Sequence, residues 1–230
     1  MRSVNIRDNV YRLWPVRDAP HNPDDALGDL RFRALLGAEK WAALPPAVRK
    51  RFSKRLGGAR SVVYAGEVVE CRMNLAGRLF AQAMRPFGAP LPLGTDTMVP
   101  AIVSVTEDTA EGGQFWVRQY GRKRGFPQVI HSAKRFAGPT GLEEYLGLGL
   151  GVALRLRVEG EALLFVSDHY FFRFGTLRLR LPRFLTPGRL TVGHVDCDHG
   201  WFAFTLDLTH PALGTLVHQT ALFTEVRPAA

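Results

Sequence analysis

The densest group of chemically capable side chains is His194-Val195-Asp196-Cys197-Asp198-His199. On an extended strand His194, Asp196 and Asp198 share a face, because side chains repeat every two residues. One imidazole with two carboxylates suits a hard or borderline divalent ion, so a metal-dependent enzyme built on these three is one reading. Asp198-His199-Gly200 also falls where a hairpin turn is expected, and Asp and Gly are favoured there for backbone reasons. No metal site is assigned on this basis.

Asp168-His169 interrupts an apolar and aromatic stretch, residues 162–174. Strict alternation groups Asp168 with Val166 and Tyr170, and His169 with Phe165 and Phe171. Whichever face is inside then carries an ionisable group that needs a partner. Asp168, His169 and Tyr170, together with His194, are therefore the candidate ligand-binding residues, polar anchors of the kind that orient a headgroup in an apolar pocket. His210-Pro211 reads as a structural corner, since proline moves its predecessor out of helical geometry. His131 and His218 stand alone on strands. There is no GxSxG motif. Gly147-Leu148-Gly149-Leu150-Gly151 precedes a strand, whereas a dinucleotide fingerprint follows one and opens a helix. No catalytic residue and no cofactor is assigned.

The elements that must carry these residues change character along the chain. Pro15, Pro20 and Pro23 break residues 1–28, which read as a poorly ordered arm, and residues 29–227 read as one domain. Leu30 to Leu36, with Trp41 and Leu44, suits a short amphipathic helix. Pro45-Pro46 stops it and opens a second helix, from Ala47 to about Leu56, which Gly57-Gly58 ends. Ser61–Met73 alternates as a strand, with Gly66 marking a bulge or close approach. Asn74 caps a helix whose apolar stripe is Leu75, Leu79, Phe80, Ala83, Met84 and Phe87.

From residue 97 onward the period is two. Nine strands are expected there, and residues 138–145 read as a turn with a short helical piece. The strongest alternation sets Val152, Leu154, Leu156 and Val158 against Arg155, Arg157 and Glu159. The expected fold is α+β and mainly antiparallel β, a curved sheet or partly closed barrel of about nine strands with N-terminal helices packed on it.

At 230 residues, with 46% hydrophobic and 22% charged residues, the chain can bury a full core without disulfide or metal staples. Cys71 and Cys197 are widely separated and form no CxxC motif, which fits buried or half-buried thiols in a reducing compartment. Without a signal-like apolar run at the start, or one long enough to span a bilayer, the expected location is cytoplasmic. The net charge of +9 raises nucleic acid or an anionic membrane as partners. However, the basic residues are nearly all Arg and are spread along the chain, as a GC-rich genome produces regardless of function. The cluster Arg49-Lys50-Arg51, Lys54-Arg55 and Arg60 reads as a solvated helix face with no aromatic stacking platform. Nucleic acid is not favoured as a partner, nor is peripheral membrane contact through this cluster or the helix after Asn74.

Three stretches carry a family resemblance. They are Phe32-Arg33-Ala34-Leu35-Leu36-Gly37 with Trp41 to Arg49, then Leu181-Pro182-Arg183-Phe184-Leu185-Thr186-Pro187, and lastly Phe202-Ala203-Phe204 through His210-Pro211-Ala212-Leu213-Gly214 with Gln219 and Phe223. Together they resemble a bacterial family, the domain of unknown function 4166, over about Leu30 to Val226. The resemblance implies a domain found alone or fused behind a part similar to saccharopine dehydrogenase, and it brings no catalytic residues. The leading expectation is a non-enzymatic binding domain that holds an apolar or amphipathic, lipid-like molecule in a curved β-sheet cavity. The alternatives are a module docking on a dehydrogenase-like redox enzyme and the metal-dependent enzyme at His194, Asp196 and Asp198.

Overall fold

The computed structural model describes residues 29–54, 56 and 61–226. The arm expected over residues 1–28, the Gly57-Gly58 helix stop, and Arg55 and Arg60 of the basic cluster lie outside the described residues. Among the described residues three short helices come first: α1 (Arg31–Leu36), α2 (Ala38–Ala43) and α3 (Pro46–Phe52). The single helix expected from Leu30 is broken in two at Gly37, whose φ of 83° suits glycine. Pro46 opens α3 as expected.

β1 (Ser61–Met73) leads into α4 (Leu75–Ala83), and the Asn74 side chain accepts the Gly77 N–H at 2.7 Å. A short 3-10 turn, Arg85–Phe87, follows. Ten further strands follow among the described residues: β2 (Val99–Asp108), β3 (Gly113–Tyr120), β4 (Gln128–Arg135), β5 (Glu143–Tyr145), β6 (Leu150–Glu159), β7 (Ala162–Phe174), β8 (Leu177–Arg180), β9 (Arg189–Asp196), β10 (Trp201–His210) and β11 (Gly214–Glu225). The nine strands expected after residue 97 are all present. β5 is an addition, formed where a turn with a helical piece was expected.

All pairings are antiparallel, and nearly all join strands adjacent in sequence. Strand β1 pairs with β11, and β7 pairs with both β6 and β9, so ten strands close into a barrel. β8 stays outside the ring, held only to the end of β7. At Gly66 a Cβ would strike the Leu222 carbonyl oxygen of β11, so glycine there permits a close approach. The β1 bulge lies further on, between Val68 and Glu70.

Alternation fills the barrel. Ala101, Val103 and Val105 point inward from β2 while Pro100 and Ile102 point out. β6 follows its expected faces. α1–α3 stopper one end, where Phe32 packs edge-to-face on Phe52, Phe136 and Phe165. α4 crosses the other end. Its buried residues are Gly77 and Ala81, and Leu75, Leu79 and Ala83 of the expected stripe are exposed. A Cβ at Gly77 would meet the Leu216 carbonyl, so the small residues set how closely α4 lies on β11. Cys71 is buried, but Cys197 is exposed, because it sits at the end of β9 beside the Asp198-His199-Gly200 turn. No helix among the described residues is long and apolar enough to cross a membrane.

Candidate functional site

The end of the barrel under α4 is hollow, with a cavity of about 220 Å³. Phe80, Met84 and Phe87 roof it, Leu150, Val152 and Leu208 form part of its wall, and Leu181, Leu185 and Pro187 close one side. Those last three belong to a strap, residues 181–188, that links β8 to β9 and includes the 3-10 turn Arg183–Leu185. The lining is apolar except for Tyr170, Arg118 and Glu144.

The two charges belong to a buried network. Register places Lys134 of β4 opposite Glu144 of β5 on one side and Gln114 of β3 on the other. Glu144 Oε1 accepts from Ser132 Oγ at 2.6 Å and Arg118 Nη2 at 3.1 Å, and lies 3.2 Å from Lys134 Nζ. Burial alone would raise the Glu144 carboxyl, but Lys134 and Arg118 outweigh it and hold the group at about 2. Burial pushes the Lys134 ammonium down from its ordinary value. That ammonium lies 4.4 Å from the centre of the Trp116 ring. Two cations therefore share one carboxylate. Among the described residues, Arg118 Nε and the Tyr170 hydroxyl are buried without a hydrogen-bond partner. The nearby Ser167 hydroxyl accepts from Leu190 N at 2.9 Å. Burial raises the Tyr170 hydroxyl above its ordinary range, so it stays a neutral donor.

Of the four residues singled out in the sequence, only Tyr170 reaches this cavity. The reason is a bulge in β7. Ser167 pairs with Leu154 and His169 with Ala153, so Asp168 is an extra residue and the alternation inverts across it. Phe165 and Tyr170 consequently share the interior, while His169 and Phe171 face outward. The grouping expected from unbroken alternation does not hold.

Outside the barrel a polar chain runs Arg155–Asp168–His169–Arg178–Glu143, with successive separations of 2.7, 2.7, 2.8 and 2.7 Å. Arg178 can only donate, so His169 Nε2 accepts and its Nδ1–H donates to Asp168. His169 and Arg155 hold the Asp168 carboxyl at about 2. Asp168 and His169 border an outer groove with Arg180, Arg183, Arg189 and His210. Tyr170 and Leu181 border both groove and cavity.

His194 lies at the stoppered end. Its ring packs against Phe52, Phe202 and Phe204 at 4.7 to 5.0 Å. Arg51 of α3 donates to His194 Nε2 at 3.1 Å and to Asp196 Oδ1 at 2.9 Å. Burial first, and Arg51 second, push the imidazole down to about 3. Arg51 is thus an inward pin rather than part of a solvated face, and Lys54 pairs with Glu225 at 2.5 Å. Asp198 sits in the turn at φ 63°. Among the described residues no His, Cys, Asp or Glu group is arranged to hold a metal ion.

Sequence reasoning missed Arg118, Ser132, Lys134 and Glu144. The available signal was parity, since Arg118 alternates in step with Trp116 and Tyr120.

A family model, described as a domain of unknown function (DUF4166), matches residues 44–223. That covers the strap and β10–β11 stretches of the resemblance, while the Phe32–Gly37 stretch precedes it. No curated protein and no solved structure matches the chain.

Proposed function

This chain belongs to the domain of unknown function 4166 family, and from that premise we propose that it is a non-enzymatic binding module whose barrel holds a compact apolar or amphipathic molecule. The family description names no activity, so the reading rests on the cavity. The observation that carries it is a hollow of about 220 Å³ with an apolar lining and three polar side chains. Typical ligand pockets measure roughly 300–1,000 Å³ and are built in the same way, so the occupant is small. Its apolar part lies under Phe80 and Met84. Its polar end lies toward Arg118 and Tyr170, where a buried nitrogen and hydroxyl lack partners and two cations share one carboxylate. An acceptor or anionic headgroup supplies what those atoms lack.

The test is native mass spectrometry of the purified protein with its organic extract analysed in parallel, joined to a titration with 1-anilinonaphthalene-8-sulfonate. A stoichiometric extractable amphiphile that displaces the dye supports the reading. Val152→Phe, which fills the cavity, and Tyr170→Phe, which removes the hydroxyl, should both weaken dye binding. A clean apo mass together with no saturable dye binding would sink it.

A further inference from the structure

We propose that the β7–β8 hairpin and the strap, which project beyond the closed ring, dock on an anionic lipid bilayer. The surface residues alone carry the docking. That docking serves ligand transfer rests on the binding reading above.

Residues 172–189 contain five arginines and no acidic residue. Arg173, Arg180, Arg183 and Arg189 are exposed. Phe174, Leu177 and Leu179 share the hairpin face that carries Phe172, and Arg173 and Arg180 lie on the other face. With Phe184 and Leu185 of the strap, these large apolar side chains are turned to solvent, at 60%, 56%, 48%, 82% and 61% exposure in that order. Soluble surfaces scatter such residues singly, and a group of them marks an interaction site. The group follows from topology, since β8 lies outside the closed ring and pairs with β7 alone. It also continues to the cavity. Phe174 stacks on Phe172 at 5.9 Å, and Phe172 and Leu185 both line the hollow.

Charge decides the partner. Apolar side chains set among cations with no acidic residue complement a surface of acyl chains under anionic headgroups. The acidic groups nearby are already paired, Glu143 with Arg178 and Asp168 with Arg155.

The experiment is cosedimentation of the full chain with phosphatidylcholine vesicles, with and without phosphatidylglycerol. Binding to the anionic vesicles alone, weakened by added salt, is expected. Arg180→Ala with Arg183→Ala should weaken it about 30-fold, and Leu177→Ser with Phe184→Ser should also reduce it. None of these four residues lines the cavity, so dye binding in solution should be unchanged, which also shows that the variants fold. The proposal is overturned if the chain ignores anionic vesicles, binds neutral ones equally, or binds undiminished in both variants. Vesicle binding by a chain that takes up no dye would uphold the docking and remove the cavity reading.

Discussion

Lys134 and Glu144 oppose one another across β4 and β5, 3.2 Å apart and both buried, with Arg118 reaching the same carboxylate. A buried pair is costly to break, because the surviving charge keeps its desolvation penalty. Glu144→Gln should therefore lower stability by about 3 kcal/mol. Adding Lys134→Met should recover part of that loss. Urea unfolding of the single and double variants measures both values. A Glu144→Gln protein as stable as the parent would show that the network is not closed as described.

His194 makes stability depend on pH. Its folded-state value of about 3 lies below the ordinary 6.5, so the unfolded chain takes up the proton first. Stability is full above pH 6.5 and falls as pH drops toward 3, by about 2 to 3 kcal/mol between pH 7 and 4.5. The Glu144 contribution is lost only below its ordinary value of 4.5, as pH falls toward 2, which leaves the upper window to His194. Denaturation curves across that window should flatten in His194→Gln. An unchanged slope would assign the effect elsewhere.

The two thiols should differ in reactivity. Burial, with Asp96 adding to it, pushes Cys71 up to about 11, while Cys197 is exposed. An aromatic disulfide reagent should titrate one thiol at least about 100-fold faster than the other, and Cys197→Ser should abolish the fast phase. Two thiols reacting at equal rates would contradict the burial of Cys71.

Gly66→Ala should destabilise the barrel seam by about 3 kcal/mol, because the new methyl group would meet the Leu222 carbonyl of the paired strand. Ala65→Gly, next to it, serves as the control. Thermal unfolding that places Gly66→Ala level with the parent would mean the strands can separate there at little cost.

Most of the barrel was legible because one inward and one outward face per strand leaves a period of two, as in Val152 to Glu159. β5 escaped notice because three residues between Gly141 and Gly147 are too few to show a period. The Asp168 bulge was hidden for a related reason. Both faces of β7 are apolar, so an inserted residue leaves no break in the pattern, yet it decides that Tyr170 faces the cavity and His169 does not. The charged network was the least visible part. Lys134 and Glu144 are ten positions apart with no motif linking them, and only the register of three strands brings them to Arg118.

The seam between β1 and β11 has a kinetic consequence. It joins Tyr64 to Glu225 and Met73 to Val217, the longest sequence separations in the ring, whereas almost every other pairing is a local hairpin. Loop-closure entropy makes such a junction the slow event. Hairpins can zip one after another into an open ribbon, but the ring shuts only when β11 arrives. Until that seam forms, β1 and β11 each present a bare edge, the state in which a chain of this kind is most open to strand exchange with a second copy.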